Sequence, residues 1–84
     1  MTRRHDPQPD LGRAIKQLRE ERQLSQERLG ELADLNMSSI SRLESGRLNP
    51  TWGNVKKPAR ALGVTLVELS ALCEEIEAGG RPPA

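Results

Sequence analysis

Phenylalanine and tyrosine are absent from this chain of 84 residues, and tryptophan occurs once, as Trp52. A sheet sandwich draws on aromatic and β-branched side chains, so this scarcity, in a chain whose apolar residues are mostly leucine, favours helices. One cysteine, Cys73, excludes an intramolecular disulfide, and with His5 as the lone, distant histidine no metal-ligand cluster is recognisable. No metal and no cofactor are expected. No run approaches the ~18 apolar residues of a membrane helix, and the opening MTRRHDPQPD has no apolar signal core, so a soluble cytoplasmic protein with no membrane partner is expected. A carboxylate pair, a nucleophile–base constellation and a phosphate-binding glycine loop are all missing, which argues against an enzyme.

What is present is enough for one small domain. Its core is thin, and about a dozen well-placed aliphatic residues must supply most of the stability. The charge is divided along the chain: residues 1–60 carry 12 Lys/Arg against 8 Asp/Glu, and residues 61–84 carry 1 against 4. Such asymmetry either marks a face for an anionic partner or is solvated surface charge.

Helical periodicity with caps and stops defines five helices. Asp10 is a candidate N-cap for a first helix over residues 11–22, with Leu11, Ile15 and Leu18 on one face. Ser25 caps a second, to residue 33, and Asn36 a third, over residues 37–45, closed by Gly46. Trp52, Val55, Ala59 and Leu62 mark a fourth that ends at Gly63, with Trp52 expected as a packing anchor. Pro58 falls inside it, where proline costs about 3 kcal/mol, so that helix either kinks or splits. Thr65 caps a fifth, carrying Leu66, Val67, Leu69, Leu72, Cys73 and Ile76 up to Gly79-Gly80. The expected organisation is an all-α domain over residues 10–78 between flexible tails, 1–9 and 79–84.

The third helix carries the functional signal. Ile40 and Leu43 face a core, whereas Met37, Ser38, Ser39, Ser41 and Arg42 need no burial. A helix that enters a DNA major groove needs such a seam, with short or flexible polar groups outward, and an arginine there can donate two bonds to guanine.

These residues resemble the helix-turn-helix domain of the phage repressor and Cro type, the XRE family, through IKQLREERQLSQERLGELADL, SSISRLESGRLNP and ARALGVTLVEL, which lie within residues 11–72. The resemblance implies a compact five-helix, lambda-repressor-like fold and a sequence-specific regulator that binds double-stranded DNA as a homodimer on a palindromic operator. It places Gln26 and Asn36 on phosphates, with Ser25 mainly a cap and only secondarily a phosphate contact. Met37, Ser38, Ser39 and Arg42 become the base-facing set, with Met37 folding back as a hydrophobic staple as the alternative. Arg47 and Asn49 become backbone contacts, and Arg19 with Glu44 a largely buried salt bridge.

Three departures from the family pattern stand out. Gly30 replaces a usual alanine; it is small enough to keep the second and third helices close but is expected to weaken the second helix by about 1 kcal/mol. Asp34 replaces a turn glycine, and Pro58 a core aliphatic. The breadth of the fifth helix's apolar stripe gives Leu69, Leu72, Cys73 and Ile76 as a dimer interface, or else as residues that close the domain against the first helix. A separate protein partner for that helix, with weak DNA binding, is the alternative function. Restriction-modification controllers, small phage repressors and antitoxins all fit the size.

Overall fold

The computed structural model describes residues 9–47 and 51–79. Both expected tails up to residue 8 and from residue 80, with His5, and the loop residues Leu48, Asn49 and Pro50 lie outside the described residues. Five helices follow in order: α1 (Pro9–Glu21), α2 (Gln26–Ala33), α3 (Met37–Glu44), α4 (Trp52–Ala61) and α5 (Leu66–Glu77). No strand occurs among the described residues.

Local chemistry sets most of the boundaries. Ser25, Asn36, Thr51 and Thr65 each take extended backbone and accept a bond from the backbone N–H three residues on. At α5 the cap is reciprocal, because Glu68 reaches back to the Thr65 N–H at 2.8 Å. The ends of α1 to α4 share one closing pattern, in which a left-handed residue lets the next N–H fold back to a carbonyl of the last turn: Leu24 to Arg19, Leu35 to Gly30, Arg47 to Arg42 and Val64 to Ala59. Glycine fills the left-handed position twice, at Gly46 and Gly63. Gln23 (φ 57°) and Asp34 (φ 58°) fill it elsewhere, the aspartate where the family pattern has glycine.

Two expectations need correction here, and one open choice is narrowed. Asp10 is not the cap of α1: the helix begins at Pro9, whose fixed φ suits a first turn in which its missing N–H would be unpaired anyway, and Asp10 supplies negative charge to that turn. The fourth helix does not split at Pro58. Its ring is fully buried in the core, and that burial offsets the lost backbone bond. Trp52 is no anchor, being 66% exposed at the first residue of α4.

One core joins the helices. Ala14, Ile15 and Leu18 of α1 meet Leu29, Ile40, Leu43, Ala59 and Leu62, and Leu69 and Leu72 of α5 complete the cluster. Each buried leucine or isoleucine contributes about 1.5–3 kcal/mol. α1 packs against α5 and α3, and α2 against α3 and α4, so α3 is fixed from two sides while its remaining face stays outward. No helix among the described residues is long and apolar enough to cross a membrane.

Candidate nucleic-acid interface

Eight residues of α3 divide into two faces. Ile40 (0% exposed) and Leu43 (2%) are sealed in the core, whereas Met37 is 53% exposed and Ser38, Ser41 and Arg42 are exposed, with Ser39 half-buried. Met37 thus stands outward at the start of the helix. Arg42 makes no ion pair among the described residues, so its guanidinium is available to a ligand.

The start of α3 is tightly built. Asn36 Oδ1 accepts from the Ser39 N–H and the Ser38 hydroxyl, both at 2.8 Å. This commits the Asn36 carbonyl to capping and leaves its amide nitrogen for an acceptor outside the helix. Ser25 does the same work at α2, its Oγ accepting from Arg28 N–H at 2.9 Å. Arg47 is exposed just after α3, and its backbone N–H closes that helix.

Behind the two helix starts lies a buried polar hub. Arg19 Nε donates to Glu44 Oε2 at 2.6 Å, Arg19 Nη2 to Glu44 Oε1 at 3.0 Å, and Arg19 Nη1 to the Leu24 carbonyl at 2.7 Å. The two side chains are 11% and 3% exposed. The hydrogen bond that Arg19 donates to Glu44, opposed in part by burial, raises the Arg19 pKa above its already high ordinary value, so the guanidinium stays charged. Gln26, the first residue of α2, joins the hub by donating from Nε2 to Glu44 Oε1 at 3.0 Å. The Arg19–Glu44 pair therefore links α1, the turn after it, α2 and the end of α3.

Close packing supports this arrangement. A Cβ on Gly12 would lie 2.5 Å from both the Leu43 and Glu44 carbonyl oxygens, so glycine lets α1 cross the last turn of α3. Gly30 has a similar reason, since a Cβ there would lie 2.6 Å from the Leu35 carbonyl oxygen. The small residue expected here to keep α2 and α3 close is therefore required, and this turn has no room for an alanine Cβ.

The residues expected on DNA thus gather at the starts of α2 and α3, along the outer face of α3 and just after it, except Asn49, which lies outside the described residues. The interface expected on α5 does not survive in that form. Leu69 (2% exposed) and Leu72 (4%) are core residues, and Cys73 and Ile76 are half-buried against the same core. They close the domain because α5 packs on α1. Val67, at 78%, is the exposed large apolar residue of α5, on a shallow face shared with Leu66, Ser70, Ala71 and Glu74. Sequence reading also passed over Lys56, Lys57 and Arg60, which line a 560 Å³ groove between α2 and α4 that holds none of the expected DNA contacts. Their i, i+4 spacing, 56 to 60, was the available signal.

The geometry leaves the polar face of α3 open while α1 and α2 hold the other, and comparison with known proteins supplies the family. Residues 10–72 match the helix-turn-helix domain family. The chain belongs to this family of DNA-binding transcriptional regulators. It is 37% identical over 65 residues to the immunity repressor protein of Bacillus phage phi105, covering 77% of this chain and 43% of the repressor, so the chain spans less than half of that relative's length. Among solved structures it is similar to the restriction-modification controller protein C.AhdI from Aeromonas hydrophila, at 34% identity and TM-score 0.71 over 74% of this chain and 94% of that one. It is similar also to the controller protein C.Esp1396I, solved as a tetramer with its natural 35 base-pair operator, at 27% identity and TM-score 0.75 over 83% and 93% of the two chains.

Proposed function

We propose that this protein regulates transcription in the cytoplasm by binding as a homodimer to an imperfect palindrome, one α3 in the major groove of each half-site, and that it acts by binding and not by catalysis. The observation that carries the reading is the division of α3, with Ile40 and Leu43 sealed inside and Met37, Ser38 and Arg42 outward. Half-sites lie about one helical turn apart, roughly 34 Å. Arg42 reads a base edge, Ser38 and Ser39 add short polar contacts, and the starts of α2 and α3 face phosphates through Gln26, Asn36 and Ser25. The dimer forms through the outer face of α5 around Val67 and Ala71, in place of the buried Leu69 and Leu72.

Selection of binders from a random duplex library tests this, followed by affinity for the enriched site at several salt concentrations. An enriched palindrome bound far tighter than random DNA is expected. Weak, salt-sensitive binding without enrichment would refute the reading and direct attention to a separate protein partner for α5.

A further inference from the structure

We propose that Glu44 is a positioning residue for the DNA contact: it holds the Gln26 amide so that one Nε2 hydrogen is engaged inside the domain and the other is presented to a phosphate. The inference rests on the reading that Gln26 meets the DNA backbone at the start of α2.

A carboxylate has no hydrogen to donate, so it is the amide nitrogen of Gln26, and not its oxygen, that must face Glu44 Oε1 at 3.0 Å. The two hydrogens of the amide nitrogen diverge in the amide plane, and a single acceptor takes one. The second points away from the carboxylate, and Gln26 makes no other side-chain hydrogen bond among the described residues. An unrestrained glutamine has three rotatable bonds and presents oxygen or nitrogen alike, and the oxygen repels a phosphate. Fixing the nitrogen outward removes the wrong orientation before DNA arrives, which favours binding by lowering the ordering cost.

A lone carboxylate near a phosphate would work against binding, but this one is matched. Both its oxygens accept from Arg19, at 2.6 and 3.0 Å, and its side chain is 3% exposed, so it orients the amide without presenting negative charge to the surface. Glu44 is also the last residue of α3. The same side chain therefore sets the phosphate clamp on α2 in fixed relation to the helix that reads bases.

The test uses the full chain and the duplex enriched in the selection above. In the NMR spectrum of the free protein, the Gln26 side-chain amide, assigned by its loss in Gln26→Met, should show one downfield, slowly exchanging proton and one solvent-like proton. On adding the duplex the second proton should move downfield while the first stays. In binding assays Gln26→Met should lower affinity about tenfold in the wild-type background and less than about twofold when combined with Glu44→Gln, with base preference unchanged in both. Two solvent-like protons in the free protein, loss of the first proton's signal shift on binding, or full multiplication of the two mutational effects would overturn the proposal even if DNA binding is intact. No binding to any duplex, with the free-state amide bond present, would overturn the reading of Gln26 as a DNA contact and the proposal with it.

Discussion

Replacing Gly12 with alanine sets two opposing effects against each other. Alanine is favoured over glycine in a helix interior by about 1 kcal/mol, which taken by itself predicts a more stable protein. The added Cβ, however, would lie 2.5 Å from the carbonyl oxygens of Leu43 and Glu44, both backbone atoms at the end of α3. Even close carbon–oxygen contacts between helices settle near 3.3–3.6 Å, so α1 must retreat by about 0.8 Å or more. Overpacking of this kind costs about 1–3 kcal/mol. The retreat also pulls on the Arg19–Glu44 bonds, which join the same two helices at 2.6 and 3.0 Å and are charge-assisted, each worth about 1.5–3 kcal/mol when intact. A partial loss of these exceeds the propensity gain, and the net expectation is a destabilisation of about 2 kcal/mol, or a fall in Tm of about 8–16 °C for a domain of this size. Gly53 provides the control: it lies in α4 with nothing within 4 Å of a built Cβ, so Gly53→Ala should raise Tm by a few degrees, since the same propensity gain of up to about 1 kcal/mol is unopposed. Thermal melts followed by circular dichroism at equal protein concentration read both. If Gly12→Ala melts as high as the wild type, the close crossing of α1 and α3 is not what holds glycine there.

Glu44→Ala leaves the buried Arg19 guanidinium unmatched and should cost about 3–5 kcal/mol in urea unfolding; an unchanged midpoint would remove the pair from the account of stability. Arg42→Ala should relax preference at one base position and cost about 1–3 kcal/mol of affinity with the fold intact, and a repeat of the duplex selection on the variant checks it. Val67→Glu should leave the melting curve of the monomer nearly unchanged while abolishing concentration-dependent association in ultracentrifugation; an unaltered dimer would move the interface elsewhere. Burial first, and then the charge of Asp10, raises the Cys73 thiol pKa above its ordinary value. Iodoacetamide at pH 8 should therefore modify the folded protein more slowly than the urea-unfolded chain. Because the folded-state value is the higher one, the thiol's contribution to stability is complete below the ordinary thiol range and is lost as pH rises through the folded value.

Much of the helical frame was legible because its signals are local. The serine, asparagine and threonine caps at residues 25, 36 and 65 act on the next turn of their own helix, and Gly46 and Gly63 act on the turn just closed. The errors share a different character. Size points Trp52 to the core while its place at the first turn of α4 leaves it exposed, and the choice that Pro58 leaves open turns on a burial the sequence does not show. Gly12 sits in an ordinary helical stretch, and only the approach of α3, some thirty positions along the chain, gives it meaning. The breadth of the apolar stripe on α5 is visible in the sequence, but which part α1 covers is not, so interface and domain closure both stay open for Leu69 and Leu72 until the packing is seen. For the site, the polar face of α3 could be read from its residue types. The bond between Gln26 and Glu44 spans eighteen positions and required the fold to be seen.

The two faces of α3 also bear on how such a protein can change over generations. On the proposed reading, stability is written on Ile40, Leu43 and Glu44 and preference for a base sequence on the outward Met37, Ser38 and Arg42, with little overlap between the two sets. Exchanges among the outward residues leave the core untouched, and exposed substitutions of this kind usually stay within about 0.5 kcal/mol. The molecule is thus a retunable lock, in which a lineage can drift to a new operator through single steps that each remain folded, while nearly every inward change is closed to it.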